Sequence, residues 1–228
     1  SFLQPESTAE YWIKEQENIN RDKKLRFFKT HNALCKINNF SFTDNKNTIA
    51  AVHIVRDPRN VVTSLSNHYQ INKNEAFDFM KNEKKALIEK KNNRFLGFVP
   101  LFSWKFHQES WSECKKFPVL TIRYEDLQAD TFKTFKSILN FLRETTNSSI
   151  DINSDKINQV IKSCEFEKLQ KLEKNSGFKE ALVSKKTNEK IKFFNLGKEN
   201  DFRILLDKKM INEMTEFYKD QIKKYKYE

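Results

Sequence analysis

Three short stretches of this 228-residue chain combine side chains able to hold an anion or move a proton. The first is Ile54-Val55-Arg56-Asp57-Pro58-Arg59-Asn60-Val61-Val62-Thr63-Ser64. An apolar, β-branched run delivers Arg56, and Asp57-Pro58 reads as an N-cap followed by proline at the first helical position. A helix opening there presents free N–H groups and a partial positive charge, and an arginine fork beside it suits a phosphate. Ser64 adds a hydroxyl from the second turn. Two readings stay open for Arg56: such an anion site, or pairing with a local carboxylate such as Asp57. The second stretch is Phe28-Lys29-Thr30-His31. A histidine just past a strand end can act as a general base, because its ordinary pKa is about 6.5. A lone histidine is more often structural, as we expect of His53, His68 and His107. The third stretch is Tyr124-Glu125-Asp126, where an aromatic can stack on a base and the acids suit a helix start. A tyrosine packed on the core with a helix cap behind it is the plainer alternative.

The elements that must position these residues follow from the apolar pattern. Leu25–Thr30, Ala50–Val55 and Val119–Tyr124 read as strands. Helices are expected over Glu6–Asn18, Asp57–His68, Asn74–Lys90, Pro100–Lys116, Asp130–Phe141, Ser154–Ser163 and Asp207–Lys224, with a long loop over Asn175–Gly197. Strands separated by helices predict an α/β fold with a mostly parallel sheet. In such sheets ligands bind beyond the carboxyl ends of the strands, which is where all three stretches fall.

Composition narrows the classes. With 38% hydrophobic residues and 21 Phe, the chain has material for a core, so whole-chain disorder is excluded despite 32% charged residues. Only 3 Gly and 4 Pro rule out collagen-like and linker-like classes. The net charge is +11, from 42 Lys+Arg against 31 Asp+Glu. That charge supports one non-enzymatic alternative, a basic protein binding nucleic acid or sulfated polyanions. The surplus of Lys, Asn, Ile and Phe also reads as codon bias, which weakens that alternative. Cys35, Cys114 and Cys164 are widely spaced, suggesting neither a metal site nor a disulfide framework and fitting a cytoplasmic protein. No apolar run approaches the roughly 20 residues of a membrane helix.

Taken together and in order, these stretches resemble the sulfotransferases that use 3'-phosphoadenosine-5'-phosphosulfate (PAPS). Phe28–His31 resembles the strand carrying the family's catalytic histidine, and Val55–Ser64 its 3'-phosphate-binding strand and helix, with Arg and Ser eight residues apart. Val119–Leu127 resembles the strand ending in Tyr-Glu-Asp. Ser163-Cys164-Glu165-Phe166 resembles the segment whose aromatic contacts adenine, and Phe194–Phe202 the late loop that closes over the 3'-phosphate. Two departures stand out. Where well-known members carry Arg-Lys-Gly, this chain has Asn195-Leu196-Gly197, with Lys198 next. The family's first strand and 5'-phosphosulfate loop have no counterpart, since no Gly precedes Gly97.

The resemblance implies a three-layer α/β/α fold of the P-loop NTPase-like kind, formed by residues 1–228 as one domain without its first βα unit. It implies sulfonate transfer from PAPS to a hydroxyl or amine of a small-molecule or carbohydrate acceptor, leaving 3',5'-bisphosphoadenosine. His31 would be the base and Lys29 its catalytic neighbour. Arg56, Ser64, Tyr124, Phe166, Gly197 and Lys198 would hold the nucleotide, with no metal, nucleic acid or membrane span. Asn72–Phe98 and Asn175–Ile191 would line the acceptor entrance. Without the 5'-phosphosulfate loop, weak or absent activity is expected of this chain alone.

Overall fold

The structure is a computed structural model describing residues 5–91, 94–149, 151–184 and 187–227. Its strands are β1 (Lys36–Ile37), β2 (Phe40–Ser41), β3 (Ala51–Val55), β4 (Ala86–Lys91), β5 (Arg94–Pro100) and β6 (Val119–Arg123). The helices are α1 (Pro5–Ala9), α2 (Trp12–Ile19), α3 (Pro58–Tyr69), α4 (Lys73–Lys81), α5 (Trp104–Ser112), α6 (Tyr124–Ala129), α7 (Thr131–Thr146), α8 (Ser154–Ser163), α9 (Phe166–Ser176), α10 (Phe202–Leu205), α11 (Lys208–Phe217) and α12 (Lys219–Lys224). The architecture is α/β. β3 and β6, the two apolar strands that lead into α3 and α6, pair in parallel. β1–β2 and β4–β5 are antiparallel pairs.

The chain divides into two compact units, Ser1–His53 with Phe79–Thr121 and Glu144–Asn147, and Ile54–Asp78 with Ile122–Arg143 and Ser148–Glu228. The first is cored by Ala33, Met80, Phe98, Trp104, Trp111 and Phe117, all buried. Trp104 and Trp111 stand seven residues apart and so share the inner face of α5. Trp12 stacks on Phe98 at 5.7 Å and meets Phe42 edge-on at 5.4 Å. The second unit buries Val55, Val62, Phe77, Met214 and Tyr218. Local signals explain most helix starts. Asp57 caps α3, Asn153 caps α8 and Asp207 caps α11, each accepting a hydrogen bond from a first-turn amide.

The helices expected over Glu6–Asn18 and Asp207–Lys224 are each divided in two, and two further expected elements differ in kind. Leu25–Thr30 forms no strand: residues 23–35 contain none, and every residue from Arg21 to His31 is exposed. Apolar residues supply strand propensity, but a strand is held by a neighbour's backbone, and none of the described strands pairs with this stretch. The helix expected over Asn74–Lys90 ends at Lys81, and Ala86–Lys91 is β4 instead. There the ladder with β5, running from Ala86 opposite Pro100 to Lys91 opposite Arg94, overrides helical propensity. Between the two elements, the Asn82 side chain accepts a hydrogen bond from the Lys84 amide and closes a turn. Asn175–Gly197 is mostly irregular, as expected, with one antiparallel bridge between Val183 and Lys190 and the last residue opening a short 3-10 turn. Of the two segments expected at the acceptor entrance, residues 92–93 and 185–186 lie outside the described residues.

Candidate functional site

The best-defined part of the site is the junction of β3 and α3, in the second unit. Val55 is buried at the strand end, and Asp57 caps the helix by accepting from the Arg59 amide at 2.9 Å. Both Asp57 carboxylate oxygens are also held by the Arg59 guanidinium, with Nε to Oδ1 at 3.0 Å and Nη2 to Oδ2 at 2.7 Å. Arg59 further donates to Thr215 Oγ1 at 3.2 Å and to the Tyr227 carbonyl, and lies over the Phe202 ring at 4.1 Å. Arg59 is therefore a structural strap, and Asp57 is its partner rather than that of Arg56.

Arg56 is engaged quite differently. Its guanidinium lies over the Tyr124 ring at 4.4 Å, and Nη1 stands 3.5 Å from Ser64 Oγ. Its Nε is buried without a hydrogen-bond partner, and among the described residues no carboxylate pairs with it. Beside it, Glu125 uses Oε1 to accept from the Asp57 amide at 3.0 Å, which ties the start of α6 to the start of α3. Arg56, Ser64 and Tyr124 thus come together as a cation, a hydroxyl and an aromatic face. Such a set can bind an anion next to a flat ring. Asp57 being taken by Arg59 removes the local-carboxylate alternative for Arg56.

The late loop supplies the next pair. Gly197 has φ +55°, and a Cβ there would lie 2.7 Å from the Phe166 ring. Glycine is favoured twice over, by the left-handed backbone and by the close approach to the ring. Phe166 opens α9 and packs edge-on to Phe194 at 6.2 Å. Glu173 accepts from the Phe193 and Phe194 amides at 2.7 and 3.0 Å, and Gln170 donates to the Phe194 carbonyl at 2.9 Å, holding the loop on α9. Lys198 is exposed on the 3-10 turn Gly197–Glu199. A residue without an assigned role in the sequence reading, Asn200, is buried here and donates to Ser64 Oγ at 2.7 Å. It lay inside the Phe194–Phe202 motif, but its partner 136 positions away is invisible to spacing arguments. An open cleft of about 400 Å³ lies along α3, lined by Thr63, Asn67, Gln70, Lys73, Asn195 and Leu205 among others; it includes Asn195 and Leu196 of the late loop but none of the residues expected to hold the nucleotide or act in catalysis.

Lys29 and His31 belong to the first unit, and both are exposed. The chain is pinned immediately after them. Trp111 Nε1 donates to the Asn32 carbonyl at 3.0 Å, the Ala33 amide to the Pro100 carbonyl at 2.9 Å, and the Leu34 amide to Ser110 Oγ at 3.0 Å. His53 is buried with Nε2 2.7 Å from Gln108 Oε1 and Nδ1 3.3 Å from Thr121 Oγ1. Burial, followed by the neighbouring His53, lowers the pKa of His107 to about 4, so it is neutral at pH 7. Among the described residues, no three His, Cys, Asp or Glu side chains group to hold a metal ion, and no helix is long and apolar enough to cross a membrane.

Part of the chain is similar to luciferin sulfotransferase of Photinus pyralis, at 26% identity over 165 residues, which are 72% of this chain and 41% of that protein. Among solved structures it is similar to mouse sulfotransferase SULT7A1 complexed with PAP, at 18% identity and a TM-score of 0.47, over 75% of this chain and 57% of that one. The chain thus spans about two-fifths of the length of the curated relative it matches. The family described as "Sulfotransferase domain" matches residues 7–226, so all three motif stretches and the late loop fall inside one match. This chain belongs to the sulfotransferase domain family and has its α/β fold.

Proposed function

We propose that the protein transfers a sulfonate from PAPS to a hydroxyl or amine of a small-molecule or carbohydrate acceptor. The observation that carries this reading, beside family membership, is the Arg56–Ser64–Tyr124 cluster. The residues present fit such a nucleotide. A guanidinium with a buried, unpartnered Nε stands beside a hydroxyl and over an aromatic ring. A glycine kept free of Cβ lies against a second ring, that of Phe166.

In this reading Arg56 and Ser64 hold the 3'-phosphate, while Tyr124 and Phe166 flank the adenine. The Gly197 amide and Lys198 complete the phosphate contacts where well-known members use Arg and Lys. PAPS, when bound, supplies the activated sulfonate. His31 accepts the proton of the acceptor hydroxyl or amine on its imidazole, and Lys29 offsets negative charge that develops beside it. Positioning and electrostatic stabilisation do most of the catalysis in chemistry of this type. The three thiols, Cys35, Cys114 and Cys164, are unpaired, which suits work in the reducing cytoplasm. No nucleic acid partner is needed, because the anion-binding groups are aimed at one nucleotide.

The test is sulfonate transfer from radiolabelled PAPS by the full-length protein. His31→Ala should lower turnover by about 10²- to 10⁴-fold, the usual contribution of a general base. Wild-type turnover in that variant on a true acceptor would show that His31 is not the base.

A further inference from the structure

We infer that Asn200 is a positioning residue for anion recognition: its amide holds the Ser64 hydroxyl so that the hydroxyl proton points outward. Three contacts define how the amide sits. Asn200 is 7% exposed; its Nδ2 donates to the Asn60 carbonyl at 3.2 Å and to Ser64 Oγ at 2.7 Å, and its Oδ1 accepts from the Thr63 hydroxyl. The Asn60 carbonyl can only accept, so it selects which end of the amide is nitrogen. The reversed amide would set two acceptors against each other at 3.2 Å. Thr63 Oγ1 also lies 2.7 Å from the Asn60 carbonyl, but a hydroxyl carries one proton. With Asn200 Nδ2 serving that carbonyl, the Thr63 proton is left for Asn200 Oδ1. Every polar atom of the Asn200 side chain is then satisfied, and the amide cannot rotate without losing bonds.

The consequence falls on Ser64. Both of its described partners, Asn200 Nδ2 at 2.7 Å and Arg56 Nη1 at 3.5 Å, are donors. Ser64 Oγ therefore accepts from within the protein, and its own proton has no internal acceptor. The exposed hydroxyl is left as a donor beside the Arg56 guanidinium. Donors converging without a fixed acceptor select an anion. The Asn60 side chain reinforces the arrangement by accepting from the Phe202 amide at 2.8 Å, which anchors the chain just after Asn200 onto α3. The proposal rests on reading Arg56 and Ser64 as the 3'-phosphate site.

The experiment is calorimetric binding of 3',5'-bisphosphoadenosine and of 5'-AMP, which lacks the 3'-phosphate, to the full-length protein. The quantity read is the ratio of the two affinities. Wild type should favour the bisphosphate; equal affinities would overturn the 3'-phosphate reading itself. Given that preference, Asn200→Ala should cut the ratio about tenfold or more, in line with loss of a hydrogen bond to a charged group, and leave AMP affinity in place. In a Ser64→Ala background, Asn200→Ala should have no further effect on the ratio, because Asn200 acts through Ser64. Losses that simply multiply, or that fall equally on AMP, would overturn the proposal while leaving the 3'-phosphate reading intact. Asn200→Asp keeps the side-chain volume and the Thr63 bond, and serves if the alanine variant does not fold. An aspartate with the wild-type preference for the bisphosphate would also overturn the proposal.

Discussion

Between Val55 and Ser64 the polar side chains are bound into a network, whereas between Arg21 and His31 every residue faces water. At the start of α3, the side chains of Arg59, Asn60 and Thr63 each have partners among the last 29 residues of the chain, and the Asp57 carboxylate is held by Arg59. The earlier segment carries Lys29 and His31 outside any helix or strand, with Phe27 and Phe28 70% and 69% exposed. The contrast separates two ways of presenting chemistry. A group that must hold a charged ligand in one geometry is braced by neighbours whose own bonds are complete. A group on an exposed, irregular segment depends on whatever that segment meets. Within the first region the same contrast recurs between two arginines three residues apart. Arg59 is spent on structure, and Arg56 keeps donors free.

The strongest way to break this comparison is to remove the brace. Arg59→Ala leaves the Asp57 carboxylate buried without its cation and should cost about 3–5 kcal/mol in urea unfolding. Arg56→Ala should cost no more than about 0.5 kcal/mol in the same experiment, since it breaks no buried pair. Equal losses would erase the distinction between the arginine that straps the fold and the one without a buried ion pair.

A second effect belongs to the first unit. The imidazole of His107 has a pKa of about 4 in the folded protein against an ordinary 6.5, mainly because of burial. The unfolded chain therefore binds the proton more readily between these values. Stability is intact above pH 6.5 and falls as the pH drops toward 4, by up to about 1.4 kcal/mol per pH unit. Denaturation curves across that range should show the slope, and His107→Gln should flatten it. An unchanged slope in the variant would place the titrating group elsewhere.

The smallest effect sharpens the other side. Phe27→Ser and Phe28→Ser remove exposed side chains and should change unfolding free energy by no more than about 0.5 kcal/mol each. A loss near that of a core phenylalanine, about 3–5 kcal/mol, would mean that this segment is covered in solution.

Much of the second unit was legible in the sequence because its signals are local. Asp57-Pro58 announces a helix start, since a carboxylate can reach the amide two residues on and proline loses nothing at the first helical position. Ser64 falls in the second turn of that helix, as its distance from Asp57 implies, and Ser154–Ser163 was readable to the residue. Where a strand was expected at Leu25–Thr30 or a helix through Lys90, the pattern was equally local but the outcome depended on a partner. β5 claimed Ala86–Lys91, and none of the described strands claimed Leu25–Thr30.

The sequence by itself determined the family, the order of its motifs and which residue types stand at the ends of β3 and β6. Tertiary structure alone decided which arginine is free and which hydroxyl is aimed outward. Asp57 lies beside both Arg56 and Arg59 in sequence. Arg59 takes it because Thr215 and Tyr227, 156 and 168 positions along the chain, complete its remaining donors. Ser64 is oriented by Asn200 in the same way, across 136 positions. Spacing can encode caps and periodicity, whose partners lie within a turn or two. It cannot encode which distant side chain satisfies a buried donor, because that is decided when the elements pack.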